Sequence, residues 1–179
     1  VDLIKTITVP GGKVVTFSYV AGATVSLLST IEDWSNRLTT LQYDANRNLT
    51  TLMSPSGCIT KYGYVLTSGQ YLMTSIEDPS GYATNYAFDA QGRVTSMTAG
   101  SGTWNYSFAN HSSTMTNPAG GITSYAMGTN NRPLTVEYPA GYVVTYGYDT
   151  NGFINLQQMP HGDVLSMVFA TNGQPLVKR

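Results

Sequence analysis

The side chains with the chemistry for catalysis are few, and they are scattered along the chain. His111 stands directly before Ser112 and Ser113, and a histidine base beside a serine hydroxyl is the minimal pair for nucleophilic catalysis. The G-x-S-x-G pattern that exposes a nucleophilic serine is missing, and adjacency in sequence does not produce the geometry of a triad. We therefore expect His111, and the second histidine His161, to be solvated loop residues and the chain to have no catalytic site.

A metal or redox role has equally little support. The chain has one cysteine, Cys58, and two histidines, which is a poor ligand set for a zinc site. Neither H-E-x-x-H nor C-x-x-C occurs in the sequence. We expect Cys58, which follows the Pro55-Ser56-Gly57 turn, to be an inert small apolar side chain, and we expect no internal disulfide and no cofactor.

Aspartates recur at regular positions and allow two interpretations. Asp44, Asp89 and Asp149 each follow an aromatic residue and open a turn, where a carboxylate can accept hydrogen bonds from the turn backbone. Calcium binding is the alternative, although one carboxylate per turn falls short of the roughly six to eight oxygens that calcium takes. The pairs Glu32-Asp33 and Glu77-Asp78 occupy equivalent positions of the repeat, which favours turn chemistry over an acid–base pair.

The elements that position these residues can be read from one stretch, Ile76–Met97. Pro79-Ser80-Gly81 is one turn signal and Asp89-Ala90-Gln91-Gly92 is the other, and glycine supplies a positive φ in both. Alternate residues between the two turns share one face of a strand. These alternating residues are Tyr82, Thr84, Tyr86 and Phe88. The stretch is predicted to be a β-hairpin module.

Copies of this module fill the chain. Ile31–Leu52 matches it position for position without a gap, and Val136–Gly152 is a close later copy. The second aromatic or apolar residue of each copy is its anchor, and successive anchors are 19 to 24 residues apart. The eight anchors are Tyr19, Tyr43, Tyr64, Phe88, Phe108, Met127, Tyr148 and Phe169. The turn residues that mark the repeat most clearly are Pro79, Gly81, Gly92, Pro139, Gly141 and Gly152.

A period of about twenty residues repeated about eight times is typical of a repeat array and not of an enzyme domain. We expect one array over residues 1–179, with no linker or domain boundary. Its repeats are expected near residues 4–29, 30–51, 52–75, 76–97, 98–114, 115–135, 136–157 and 158–179.

The pattern P-x-G-x-x-T-x-Y-x-Y-D-x-x-G-R, clearest in Pro79–Arg93 and Pro139–Gly152, resembles the YD repeat of RHS-repeat proteins. The resemblance covers essentially the whole chain. In resembling proteins, long strips of such hairpins coil into a hollow shell around a toxin cargo. The aspartyl autoproteolysis segment that ends an RHS core has no counterpart in this sequence, and neither does the variable toxin domain that follows it. The resemblance therefore implies a stretch of repeats that is too short to enclose a folded cargo alone.

The composition of the chain limits the classes of protein to which it can belong. The chain is 41% hydrophobic and 11% charged, with a net charge of −1, so it lacks the electrostatic footprint of a protein that binds nucleic acid. No apolar run approaches the roughly 20 residues of a transmembrane helix. Abundant tyrosine and threonine suit strands with one packed and one wet face, and they also suit a secreted or cell-surface protein. We expect an all-β fold of roughly 16 strands, forming a curved or spiralling antiparallel strip with almost no helix.

Three functions stay open, and none of them needs an active site. The favoured one is a non-catalytic structural segment of an RHS/YD-repeat shell or cell-surface protein, whose partners are neighbouring repeats of the same or another chain. The alternative is a self-assembling extracellular fibre or adhesin subunit, because the open edges of a strip can pair with other copies. The third is a glycan-binding surface module, for which Trp34 and Trp104 are the better candidates because they replace smaller residues of the repeat.

Overall fold

The computed structural model of the protein describes residues 3–20 and 26–178. These residues form seventeen antiparallel strands and no helix, which confirms the predicted all-β fold. The described ranges accordingly contain no helix with the length and apolar character to cross a membrane.

The chain divides into two compact units, Val1–Ser101 and Gly102–Arg179. Within each unit, strands that are consecutive in sequence pair with one another, so each unit is an antiparallel meander. The strands of the first unit are β1 (Thr6–Val9), β2 (Lys13–Val20), β3 (Leu27–Glu32), β4 (Leu38–Tyr43), β5 (Leu49–Met53), β6 (Ile59–Thr67), β7 (Gln70–Glu77), β8 (Ala83–Phe88) and β9 (Val94–Ala99). Those of the second unit are β10 (Gly102–Ala109), β11 (Ser112–Thr116), β12 (Ile122–Met127), β13 (Pro133–Glu137), β14 (Val143–Tyr148), β15 (Ile154–Gln158), β16 (Val164–Phe169) and β17 (Pro175–Lys178).

One face of each meander carries most of the aromatic and branched apolar side chains. In the second unit Tyr125 lies opposite Val136, which in turn lies opposite Val144. Directly paired residues of neighbouring strands point to the same side of the sheet, so these three side chains form a row across β12, β13 and β14. The anchors lie on this apolar face because they continue the alternation of the same strands.

Very little of the apolar face is removed from solvent. Among the described residues, Val136 and Val144 are the only buried apolar side chains, at 5% and 6% exposure, and Thr123 is the only buried polar one. Each strand therefore gains its packing from the strands on either side of it. Stability that comes mainly from contacts between neighbouring elements is typical of a repeat array.

Tyr82 departs from the predicted alternation. Strand β8 begins at Ala83, and Tyr82 is the last residue of the preceding turn with 70% of its surface exposed. Its backbone N–H donates to the carboxylate of Asp78 at 2.9 Å instead of entering the strand ladder. Thr84, Tyr86 and Phe88, by contrast, are half-buried as the pattern predicts.

Candidate functional site

The structure places the residues with catalytic chemistry apart from one another. His111 is exposed at the tip of the β10–β11 hairpin, and its Nδ1 lies 3.3 Å from the backbone carbonyl of Gly128. His161 lies in the turn between β15 and β16, where its ring meets Tyr142 edge-on with 6.2 Å between ring centres. Ser112 and Ser113 begin β11. Within the described residues, neither histidine is hydrogen-bonded to a serine.

Cys58 and the acidic residues show no metal-binding geometry. Cys58 is exposed at the end of a turn, where its Sγ accepts a hydrogen bond from the Ser56 hydroxyl at 3.4 Å. Across residues 3–20 and 26–178, no three histidine, cysteine, aspartate or glutamate side chains converge to hold a metal ion.

The feature that recurs throughout both units is a five-residue turn of one fixed geometry. The N–H of its first residue donates to the carbonyl of its fifth, and the N–H of its fourth donates to the carbonyl of its first. The fourth residue has a positive φ, which produces the three-residue hairpin loop that combines a type I turn with a left-handed residue. Eleven such turns occur in the described residues. They begin at Asp33, Asp44, Ser54, Asp78, Asp89, Asn117, Gly128, Tyr138, Asp149, Met159 and Ala170.

The turns are of two sequence types. The five that follow an anchor are called anchor turns here, and they begin at Asp44, Asp89, Gly128, Asp149 and Ala170. The other six are called proline turns, because five of them have proline at the second position; Trp34 replaces it in the sixth. The proline turns begin at Asp33, Ser54, Asp78, Asn117, Tyr138 and Met159. Pro79, Gly81, Pro139 and Gly141 thus lie in proline turns, and Gly92 and Gly152 in anchor turns.

Aspartate at the first position of a turn accepts hydrogen bonds from the turn backbone. In Asp89 the Oδ1 atom accepts from the N–H of Gln91 and of Arg93, both at 2.9 Å, while Oδ2 accepts from the Arg93 side chain at 2.7 Å. Asp149 makes the same two backbone contacts with Asn151 and Phe153, at 2.9 Å each. The aspartates of the sequence pattern are therefore turn acceptors.

Where the first residue has no acceptor, the third residue can replace it. The anchor turn at Gly128 has Asn130 at its third position, and the Asn130 Oδ1 accepts from the N–H of Arg132 at 3.2 Å. Asn172 does the same for the N–H of Gln174 at 3.1 Å. A short polar side chain at either the first or the third position of a turn can thus accept a hydrogen bond from the backbone N–H of the fifth residue.

The turn hydrogen bonds lower the pKa of four of these carboxyls below the usual aspartate range, because they favour the ionised form. The largest cause of the lowered pKa at each site is a hydrogen bond, from the Arg37 side chain to Asp33, from the Asn48 side chain to Asp44, from the Ser80 hydroxyl to Asp78 and from the Arg93 backbone to Asp89. The turns accordingly hold these carboxyls in the charged form that accepts hydrogen bonds.

Seven of the eight anchors mark the same irregularity in strand pairing. The register shifts immediately before the anchor, because the partner strand carries one extra residue there. The anchors with this bulge are Tyr19, Tyr43, Tyr64, Phe88, Met127, Tyr148 and Phe169. Phe108 is different, since it pairs with Ser113 in unbroken register and is 38% exposed. The bulges beside the predicted anchors were not foreseen from the sequence.

The bulges explain a second feature that the sequence reasoning missed, which is the small residue before the anchor. A Cβ placed on Gly147 would lie 3.1 Å from the Cβ of Leu156 and 3.2 Å from the Asn155 side-chain oxygen. Asn155 is the extra residue of that bulge. The signal in the sequence is the recurrence of a small residue between two aromatic or apolar ones, at Ser18, Gly63, Ala87, Ala126 and Gly147.

Anchors of successive repeats are linked through backbone and side-chain contacts. The hydroxyls of Tyr19, Tyr43 and Tyr148 each donate to a backbone carbonyl fifteen residues earlier, at 2.7–2.8 Å. Burial raises the pKa of the phenol of Tyr43, and it is also the largest cause of the raised pKa of Tyr64. These anchors therefore hold their aromatic rings against the neighbouring strand.

Two anchors of the second unit, Tyr148 and Phe169, also stack on the last residue of the preceding anchor turn. The guanidinium carbon of Arg132 lies 5.5 Å from the ring centre of Tyr148. The rings of Phe153 and Phe169 repeat this relationship with 5.2 Å between their centres. A cation over an aromatic face and a tilted aromatic pair are both favourable contacts, so two chemically different pairs fill the same position of the repeat.

The two tryptophans lie in different surroundings. Trp34 is 47% exposed in its proline turn, and the Nζ of Lys13 lies 4.8 Å from the centre of its ring. Trp104 is half-buried in β10, where its ring lies close to Gly102. Of the two glycan candidates, Trp34 is thus the one with an accessible ring.

Residues 72–103 match the RHS repeat family model, which confirms the resemblance seen in the sequence pattern; the matched residues include the turns at Asp78 and Asp89. No curated protein matches the chain.

The fold is similar to solved structures of Tc toxin proteins. A crystal structure of TcdB2-TccC3-TEV superimposes with a TM-score of 0.62 at 13% identity, covering 91% of this chain and 10% of that chain. A crystal structure of TcdB2-TccC3-Cdc42 gives 0.63 at 13% identity, over 97% and 11%. A mutant Tc holotoxin pore of Photorhabdus luminescens gives 0.55 at 12% identity, over 97% and 12%. This chain therefore spans about a tenth of the length of the proteins that share its fold.

Proposed function

We propose that this chain, which contains an RHS repeat at residues 72–103, is a non-catalytic structural segment of an RHS-repeat shell or cell-surface protein. The observation that supports this most directly is the series of eleven turns with one backbone geometry. Modules that repeat in this way contact only their neighbours, so an array can be lengthened without rebuilding a core. This property suits a wall or scaffold.

The length of the chain relative to the structures that share its fold supports the same proposal. The Tc toxin structures that share its fold are about ten times longer, since the chain covers 10–12% of them. We propose that its partners are neighbouring YD repeats of the same or another chain, and that the parent protein is secreted or displayed at the cell surface. The eight repeats over residues 1–179, with the bounds expected from the sequence, are part of this proposal.

The proposal assigns no catalytic, metal or cofactor role to any residue. The placement of His111 and His161 in separate exposed loops supports this assignment. So do the turn aspartates, whose oxygens accept hydrogen bonds from their own turns.

Cryo-electron microscopy of the protein isolated from its native source tests this function. We expect the density of this chain to continue, through covalent connections, into further hairpin repeats that form a wall. Filaments in which separate copies of the chain meet end to end, without further covalent repeats, would contradict the proposal and favour the fibre or adhesin subunit.

A further inference from the structure

Three open grooves on the polar face are copies of one another. Each groove is lined by the glutamate that precedes a proline turn and by residues of that turn. The rest of the lining comes from the preceding strand, namely from its first residues and from the end of the turn that leads into it. The glutamates are Glu32, Glu77 and Glu137, and the grooves have volumes of about 540, 390 and 460 Å³. The first two grooves belong to the first unit, and the third belongs to the second unit.

The glutamate of each groove lies directly opposite one residue of the preceding strand. These cross-strand pairs are Thr16–Glu32, Lys61–Glu77 and Ser124–Glu137. Because the backbone register is the same in all three, the grooves differ only in the side chains that line them.

Lysine side chains of the chain itself occupy the two grooves of the first unit. In the Glu77 groove, the Nζ of Lys61 lies 2.9 Å from the glutamate Oε1. In the Glu32 groove, Lys13 is part of the lining and its Nζ lies over the ring of Trp34 at 4.8 Å. One groove thus holds an ammonium group against a carboxylate, and the other holds one against an aromatic face.

The Glu137 groove has the same recognition groups but no lysine. Ser124 stands where Lys61 stands in the first unit, and no basic side chain in the described part of the second unit forms an ion pair with Glu137. Tyr138 and Ile122 line this groove with 42% and 51% of their surfaces exposed. The groove therefore combines a carboxylate, an aromatic ring and an apolar side chain, all open to solvent.

We propose that the Glu137 groove binds a lysine side chain from an extended segment of another protein. The ammonium group would bind the Glu137 carboxylate, and the methylene stem would lie along Tyr138 and Ile122, as long cationic side chains commonly lie along apolar surface. The two lysines already seated in the equivalent grooves argue for this occupant. The binding does not depend on whether the chain is part of a shell.

The test uses the full chain and a short peptide in which lysine alternates with valine. Backbone amide NMR shifts of Ile122, Ser124 and Glu137 are followed during titration. Saturable shifts are expected at these residues, and Glu137→Gln is expected to weaken binding by about 1.5- to fivefold, the range for an exposed ion pair. Raising the salt concentration should weaken binding to the native chain as well.

Two matched variants distinguish this groove from general surface charge. Ser124→Lys places a lysine opposite Glu137, as Lys61 lies opposite Glu77, and it should block the peptide. Lys61→Ser opens the groove in the first unit and should add a second set of shifts at Ile59 and Glu77. The circular dichroism spectrum of each variant must match that of the native chain.

Three results would overturn the proposal. One is the absence of saturable shifts that depend on Glu137. Another is an equal response to a control peptide with glutamate in place of lysine. The third is self-association of the native chain, seen by sedimentation without peptide and abolished by Glu137→Gln, because it would make a second copy the occupant of the groove.

Discussion

The hydroxyl of Tyr43 donates to the backbone carbonyl of Leu28 at 2.8 Å, and Leu28 lies opposite Tyr19, the preceding anchor. The second unit repeats this relationship. There the Tyr148 hydroxyl donates at 2.7 Å to the carbonyl of Pro133, which lies opposite the anchor Met127. The hydroxyls of Tyr43 and Tyr148 are thus each tied to the strand segment that closes the bulge of the anchor before it.

Removing this hydroxyl should weaken the array at one point. Tyr43→Phe keeps the ring but leaves the part-buried Leu28 carbonyl without its side-chain donor, so we expect a loss of about 0.5–1.5 kcal/mol in the free energy of unfolding. Urea denaturation followed by circular dichroism measures the change. Tyr82→Phe is the control, because Tyr82 is 70% exposed and outside the strands. Equal effects of the two substitutions would contradict the assigned role of the Tyr43 hydroxyl.

The turn carboxyls should make the fold sensitive to acid. The pKa values of Asp33, Asp44, Asp78 and Asp89 are lowered in the folded chain. Their contribution to stability is therefore fully present above the ordinary aspartate pKa of about 3.9. It is lost as the pH falls through the lower folded-state values, because protonation removes the charged acceptor. Circular dichroism during acid titration should show progressive loss of strand signal over this range.

Replacing the titrating acceptor with a neutral one should reduce this acid sensitivity. Asn117 shows that an amide oxygen suffices, since its Oδ1 accepts from the N–H groups of Ala119 and Gly121 at 3.0 and 2.8 Å. The double variant Asp78→Asn, Asp89→Asn should therefore keep its turns and lose stability less steeply below about pH 4. An unchanged acid profile would show that these two carboxyls do not control the transition.

Two turn glycines should respond differently to alanine. Gly162 and Gly173 both have a positive φ, of 92° and 82°, so alanine is strained at either position and should cost about 1 kcal/mol or more in unfolding free energy. A Cβ at Gly162 meets no atom within 4 Å, whereas one at Gly173 would lie 2.9 Å from the ring of Phe153. Thermal unfolding should show that Gly173→Ala is the more destabilising. The reverse order would contradict the stacking of the anchor turns.

The repeat length can be tested by deletion. Removing residues 138–158 joins Glu137 to the turn that begins at Met159, which has the geometry of the deleted Tyr138 turn. The shortened chain should keep its strand signal and well-dispersed amide NMR spectrum. Removing residues 138–157 instead leaves one extra residue before that turn. A one-residue slip moves every side chain of a strand to the opposite face, so this variant should lose its dispersed spectrum. Equivalent behaviour of the two deletions would contradict the proposed repeat.

The anchors were predicted because they stand at every second position with other apolar residues. The bulges beside them were not, and the strand containing Tyr146 and Tyr148 shows the reason. Its alternation continues without interruption, since the extra residue, Asn155, is on the partner strand. A register shift of this kind leaves no break in the pattern of the anchor strand. Only the small residue at Gly147 hints that the two backbones come close.

Both turn signals were predicted from the sequence, but their shared geometry was not. Pro79-Ser80-Gly81 and Asp89 to Gly92 read as different signals, one led by proline and the other by aspartate. The backbone hydrogen bonds show that the first of these turns begins one residue earlier, at Asp78. The same one-residue offset explains why Tyr82 lies outside the strand. Tyr82 continues the alternating pattern of the sequence, but its N–H and C=O are both hydrogen-bonded within the turn.

The interchangeable turn acceptors bear on how far such a sequence can drift over evolution. A turn keeps its geometry with an acceptor at its first position, as at Asp149, or at its third, as at Asn130. Its fourth position accepts glycine, asparagine and even arginine, as Arg47 shows. Since almost no side chain among the described residues is buried, few other positions are under selection from packing. Copies of the module can therefore diverge until their common ancestry is visible only in the backbone.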